Sequence, residues 1–322
     1  MVNVLYAGSP AHSAEALSAL LAAAEGGGFS ICGVLTNPPS AKGRHKTPEP
    51  TPVAAAAAAA GIPVFSPEHL DAECRAAVAS VRPELLVCFA YGRIFGPKFL
   101  SLFRYGGINL HPSALPKYRG CTPVQAAILN RDAETAFTIQ KICAGIDEGD
   151  ILAQEAVPLH GSETAGALLH AAAERGAELF KDVILEAARR GGLPAGTPQR
   201  GEPSYTKTIG RDDARIDWSR GAADIDAAVR AYFPDPAAWT AEDGVPLKIL
   251  AGKAYSSADS LPDGAAAAAP GTVCAFDKAR GILVRCGDGV YAVTELQRQG
   301  RNALPFRDFM NGARGFVGTV LV

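Results

Sequence analysis

The chain has 322 residues, 48% of them hydrophobic, a length that exceeds one hydrophobic core and predicts two domains. Its formal net charge is −2, from 31 Lys and Arg against 33 Asp and Glu, so bulk positive charge is excluded as a way of holding nucleic acid and any such contact must be local. No stretch reaches the roughly 18 uninterrupted apolar residues of a membrane span, and seven scattered cysteines without a Cys-x-x-Cys pair predict free thiols, with no metal site.

Residues 1–6 lack a basic flank leading into a long apolar run, which predicts a cytoplasmic protein. Residues 3–7 read as a first strand, Gly8-Ser9-Pro10 as a turn, and residues from about 13 to 24 as an Ala/Leu-rich helix. A second strand is expected at 29–36, followed by a long proline-rich loop over 37–52 that carries Lys42, Arg44 and Lys46. Such a basic loop can grip phosphates or an RNA end. Then come an alanine helix, a short strand at 63–65, a helix near 67–80 and an apolar strand at 85–89. This alternation predicts a doubly wound, mostly parallel α/β sheet. Ligands of such sheets bind beyond the carboxyl ends of the strands, where Gly8, Tyr91-Gly92 and residues 109–111 fall. The first turn lacks Gly-x-Gly-x-x-Gly and no Gly-Lys-Ser/Thr loop exists, which argues against dinucleotide and P-loop chemistry.

Gly107-Ile108-Asn109-Leu110-His111 reads as a short buried strand, and alternation puts Asn109 and His111 on one face. Pro112, Pro116 and Gly120 keep the following residues out of a helix, so they form a loop beside the strand end. Asp147 sits in the turn-rich Ala144-Gly145-Ile146-Asp147-Glu148-Gly149-Asp150. An amide, an imidazole and a carboxylate suit acyl transfer to an amine without a covalent enzyme intermediate. Asn109 and His111 supply donors for the tetrahedral oxyanion; Asp147 favours the imidazolium form of His111 and accepts the amine's proton.

A long helix over 163–190 precedes a Gly/Pro-rich stretch, 191–207, expected as the interdomain linker. Beyond it, short apolar runs at 247–251, 271–276, 281–286 and 291–296 predict a small barrel, with a final helix starting near 305 and a last short strand. This C-terminal part carries equal numbers of basic and acidic residues from Tyr205 onward, so it is not a basic arm.

Asn109-x-His111, the Ser113-Ala114-Leu115-Pro116 loop and Gly145-Ile146-Asp147-Glu148-Gly149-Asp150, in this order and spacing, resemble the folate-dependent formyltransferases. Ala114 stands where that family usually has Leu. The resemblance implies Asn109, His111 and Asp147 as catalytic residues and a folate pocket from Phe89, Ala90, Tyr91, Gly92, Ser113, Ala114, Leu115, Pro116, Ala144, Gly145 and Ile146. It implies 10-formyltetrahydrofolate as formyl donor and no metal. Ile216-Asp217-Trp218-Ser219, the 230–236 segment, residues 296–301 and Asp308-Phe309-Met310-Asn311-Gly312 resemble the C-terminal, OB-like barrel domain of the family members that act on methionyl-tRNA. That implies a monomer with initiator methionyl-tRNA as partner and Lys42, Arg44 and Lys46 as its contacts, Arg44 lying near the family's key arginine. The expected division is 1–190 catalytic, 191–207 linker and 208–322 tRNA-binding. Two alternatives stay open: a nucleotide-sugar amine N-formyltransferase sharing the pocket, and a noncatalytic RNA-binding protein.

Overall fold

The computed structural model describes residues 1–42, 47–256, 261–262 and 264–322. It contains two compact units that interleave along the chain. The first comprises Met1–Pro123, Glu134–Pro158 and Leu168–Thr206, the second Val124–Ala133, Leu159–Ala167 and Lys207–Val322.

The first unit is built on a seven-stranded sheet. Its order is Ile151–Pro158, Glu134–Lys141, Gly107–His111, Leu85–Cys88, Val2–Ala7, Phe29–Leu35, Val64–Phe65. The last five strands run parallel, and the first two join antiparallel at one edge. Val4, Leu5, Tyr6 and Ala7 are all inaccessible, as a central parallel strand buried on both faces requires. On one face lies the amphipathic helix Ala165–Arg190, whose Ala172, Ala173, Ala177, Phe180 and Ile184 join Ile108, Leu110, Phe137 and Ile139 in a single core. Gly176 allows this close approach, because a Cβ there would stand 2.2 Å from a Leu110 methyl.

Antiparallel strands at one edge leave a different pattern on the other face. Residues directly opposite across a ladder share a face, so Asn109 with Gln140, and His111 with Thr138 and then Gln154, form a polar stripe over three strands. The candidate site is built on this stripe.

The second unit has its own core and an antiparallel sheet ordered Trp239–Glu242, Val245–Ser256, Gly289–Arg298, Gly281–Arg285, Val273–Asp277. Register shifts at Ile249/Ala251 and Ala251/Gly252 bend the long second strand. Helices Ala222–Tyr232 and Phe306–Gly312 contribute Ile225, Val229 and Phe309 to the same core as Leu247, Val273, Val284 and Tyr291. The expected mixed α/β chain with a β-rich second half is what forms.

Several local expectations differ. The 37–52 stretch is not all loop, since Ser40–Lys42 pairs antiparallel with Thr47–Glu49. The helix expected near 67–80 spans Ala72–Ser80, started by the Asp71 carboxylate accepting the Cys74 N–H at 2.9 Å. The chain end forms a bridge from Val320 to Thr272 in place of a strand. No helix among the described residues is long and apolar enough to cross a membrane.

Candidate active site

Asn109 and His111 leave the strand on the face opposite Ile108 and Leu110, which are 0% and 2% exposed. His111 is 4% exposed. Its Nε2 lies 2.8 Å from the Tyr118 carbonyl, which can only accept, so Nε2 carries the proton. Nδ1 then faces Asp147 Oδ2 across 3.5 Å. Burial pushes the ring's pKa below the ordinary 6.5, outweighing the upward pull of the Asp147 carboxylate. Asp147 thus favours the imidazolium form, as the sequence reading has it, but desolvation of this buried ring outweighs that pull. The Asn109 carboxamide has no hydrogen-bond partner among the described residues.

Asp147 projects from the turn between Glu134–Lys141 and Ile151–Pro158 with φ of 54°. Its Oδ1 accepts from Gln140 Nε2 at 2.7 Å and its Oδ2 from the Gly120 N–H at 2.8 Å. Gln140, 2% exposed, is held on the polar stripe opposite Asn109. The turn folds tightly over the strand end, because a Cβ on Gly149 would stand 1.7 Å from the Lys141 carbonyl oxygen.

The loop after His111 is fixed by its own bonds. Ser113 is buried, its hydroxyl donating to the Lys117 carbonyl at 2.6 Å while its carbonyl accepts from Thr138 Oγ1 at 2.7 Å. Leu115 is buried, and the Leu115-Pro116 peptide is cis. The side chains of Ser113 and Leu115 are thus spent inside the protein, leaving backbone and Ala114 toward the surface.

Phe89 and Tyr91 likewise point inward, at 2% and 1% exposure, while Ala90 and Gly92 between and after them are exposed with φ of 56° and 81°. The Phe89 carbonyl accepts from Ser13 Oγ at 2.7 Å and the Tyr91 carbonyl from Asn37 Nδ2 at 2.9 Å. Gly8 keeps this corner closed, since a Cβ there would meet Ser13 Oγ at 1.9 Å. Ala144 and Ile146 are exposed, Ile146 at 56%, an apolar surface beside Asp147. Lys42 ends the short strand Ser40–Lys42; Arg44 and Lys46 lie outside the described residues.

Sequence reasoning missed Gln140, Arg119 and Gln199. Gln140 had a readable signal, the alternation of Thr138 and Gln140 against Phe137 and Ile139. Arg119, which donates to Gln199 Oε1, and Gln199, whose amide donates to the Asp147 and Gly149 carbonyls, had none, because contacts between loops leave no periodic signal. An amide donor, a neutral buried imidazole and a fixed carboxylate at one strand end can orient an acyl oxygen and take a proton from an amine.

Known proteins carry the same organisation. A formyl transferase family model matches residues 2–184, and one for the formyl transferase C-terminal domain matches 208–314. The methionyl-tRNA formyltransferase of Treponema denticola is 37% identical over 325 residues, 98% of each chain. That of Treponema pallidum is 40% identical over 321 residues, 97% of each chain. HypX from Aquifex aeolicus, solved in complex with tetrahydrofolic acid, shares the fold with a TM-score of 0.63 at 16% identity, over 95% of this chain and 46% of that one. With a family model over more than half its length and relatives this similar from end to end, the chain belongs to the formyl transferase family.

Proposed function

We propose that this protein is a cytoplasmic, monomeric enzyme that moves the formyl group of 10-formyltetrahydrofolate to the α-amine of methionine on initiator tRNA. The observation that carries this reading is the match to relatives named methionyl-tRNA formyltransferase along 97–98% of the chain, second half included.

In this reading the exposed backbone at Ala90 and Gly92, the surface of the 113–116 loop and the 144–146 turn hold the folate, with Ile146 supplying apolar contact. Phe89, Tyr91, Ser113 and Leu115 shape that surface from within. Asn109 donates its NH2 to the formyl oxygen as the amine attacks the formyl carbon, where removal of one such donor costs roughly a hundredfold to a thousandfold. His111 and Asp147 together receive the proton lost by the amine. The resulting imidazolium donates to the oxyanion, then returns the proton to the folate nitrogen as its bond to the formyl carbon breaks. Tetrahydrofolate leaves and the formyl-amide remains. No step requires a metal. Lys42, Arg44 and Lys46, with the second half of the chain, bind the tRNA.

The test uses the full chain, a labelled formyl donor, and either methionyl-tRNA or an amino-sugar nucleotide as acceptor. Label transfer to methionyl-tRNA supports the reading. Transfer to the sugar alone would replace it with the sugar enzyme, and transfer to neither with a binding protein.

A further inference from the structure

The segment expected as a linker passes directly behind the Asp147 turn. Thr197 and Ile151 exchange backbone hydrogen bonds at 2.8 Å in both directions, and Lys141 Nζ donates to the Ala195 carbonyl. Further on, Tyr205–Thr206 pairs parallel with Arg119–Gly120, and Ser204 Oγ accepts the Tyr118 N–H at 2.9 Å. Gln199 is thereby held between two docked points.

Its carboxamide is used at both ends. The oxygen accepts from Arg119 Nε at 3.1 Å and Nη2 at 2.8 Å, while the nitrogen donates to the backbone carbonyls of Asp147 and Gly149, each at 2.8 Å. A guanidinium can only donate, so Arg119 dictates which way the amide points, and the NH2 must face the turn. Arg119 Nη1 also reaches Tyr205 Oη at 2.8 Å, and that hydroxyl donates to Glu148 Oε1 at 2.9 Å. The turn carrying Asp147 is thus gripped on its backbone at residues 147 and 149 by one side chain from a remote segment.

We propose that Gln199 is a positioning residue for the reaction, fixing the Asp147 carboxylate against His111 through the backbone of the turn and never touching substrate. This rests on the reading that Asp147 takes part in the proton transfer. Two donors to the carboxylate itself, Gln140 and Gly120, set its rotation; Gln199 sets the position of the chain from which it projects. A displacement of about 1 Å at a reacting group costs on the order of a hundredfold in rate.

The test is a double-mutant cycle on the full-length enzyme, with Gln199→Met made in the native chain and in Asp147→Asn. Initial formylation rates give kcat and the KM for each substrate, and thermal melts report folding. Gln199→Met should lower kcat at least roughly tenfold, leave KM for methionyl-tRNA within about twofold, and cost less than about twofold in the Asp147→Asn background, since an interaction acting through Asp147 cannot be lost twice. An equal loss in both backgrounds would overturn the proposal, as would a change confined to KM. Gln199→Glu, of equal length and still able to accept from Arg119, repeats the cycle if the Met variant does not fold, with the same outcomes expected. Full activity of Asp147→Asn alone would instead refute the role of Asp147, whatever Gln199 does.

Discussion

Gly149→Ala tests whether the position of the Asp147 turn governs the chemistry. The added Cβ would stand 1.7 Å from the Lys141 carbonyl oxygen and 2.7 Å from its carbon. Carbon and oxygen rest no closer than about 3.3 Å, so the two must separate by roughly 1.5 Å. The strand end cannot yield, because Lys141 pairs with Ile108, Ile142 donates to the Gly107 carbonyl at 2.8 Å, and Gln140 pairs with Ile151 on the other side. The movement falls on the turn, two residues from Asp147, whose carboxylate loses its 2.7 Å and 2.8 Å hydrogen bonds and its place 3.5 Å from His111. At about a hundredfold per ångström, kcat should fall at least a hundredfold. Overpacking should cost about 1–3 kcal/mol of stability. The assay is the initial rate of formyl transfer to methionyl-tRNA, with thermal melts on the same samples. Gly192→Ala is the control, since a Cβ there meets nothing within 4 Å, and it should leave both quantities unchanged. A folded Gly149→Ala enzyme with native kcat would refute the argument that this turn must sit where it does.

Asn109→Ala and His111→Ala should each lower kcat roughly a hundredfold to a thousandfold while leaving tRNA binding, measured by filter retention, near the native value; lost affinity would make them structural instead. Because burial holds the His111 pKa below 6.5, the enzyme's own acid limb in kcat/KM should lie below about pH 6.5, once the fall caused by protonation of the attacking α-amine at higher pH is divided out. Asp147 raises that pKa, so the residual activity of Asp147→Asn should show its acid limb at lower pH, and a limb moved upward would contradict the assignment. His12, its ring edge-on to Phe89 at 5.1 Å, is pushed by burial from 6.5 down to about 4. Between those values the unfolded chain binds the extra proton, so stability falls as pH falls through this window, by up to about 3 kcal/mol. His12→Gln should flatten that part of the profile in urea melts at pH 7 and 4.5, and an unchanged slope would rule the residue out.

What could be read in advance was what the local sequence controls. The strand over residues 107–111 announces itself by a short apolar run ended by Pro112, and alternation alone places Asn109 and His111 together. The βα alternation of the first half similarly predicts the parallel strands and where their carboxyl ends lie. Alternation marks the face of the strand on which Gln140 lies, but which residue stands opposite Asn109 depends on a ladder between distant strands, so the pairing of the two is set by the register alone. Gly and Pro content in 191–207 predicts irregular backbone, and irregular backbone can be either a free tether or a docked strap. Ser204, Tyr205 and Thr206 bond to the 118–122 stretch, contacts no composition encodes. In Phe89-Ala90-Tyr91-Gly92 the residue types leave open whether the rings face a ligand or the core, and the structure turns both rings inward and leaves Ala90 and Gly92 at the surface. For His111 the pull of a nearby carboxylate toward the charged form is legible in a motif, whereas the depth of burial that outweighs it is not.

The protonation of His111 fixes an order for the proposed steps. With Nε2–H committed to the Tyr118 carbonyl, the neutral ring has no second N–H, so Nδ1 and the Asp147 carboxylate are two acceptors facing each other across 3.5 Å. Such a pair cannot donate to an oxyanion, but it is well placed to take a proton from the attacking amine, and each proton taken relieves the repulsion between two lone pairs. Only then does His111 hold an Nδ1–H beside a carboxylate, the state in which it donates strongly. The Asn109 carboxamide, with no hydrogen-bond partner among the described residues, is the donor available from the start. On this account the amide meets the developing negative charge first and the imidazolium joins once the amine has released its proton. The hydrogen bonds to Asp147 from Gln140 and Gly120 then keep the carboxylate aimed at the ring through both states.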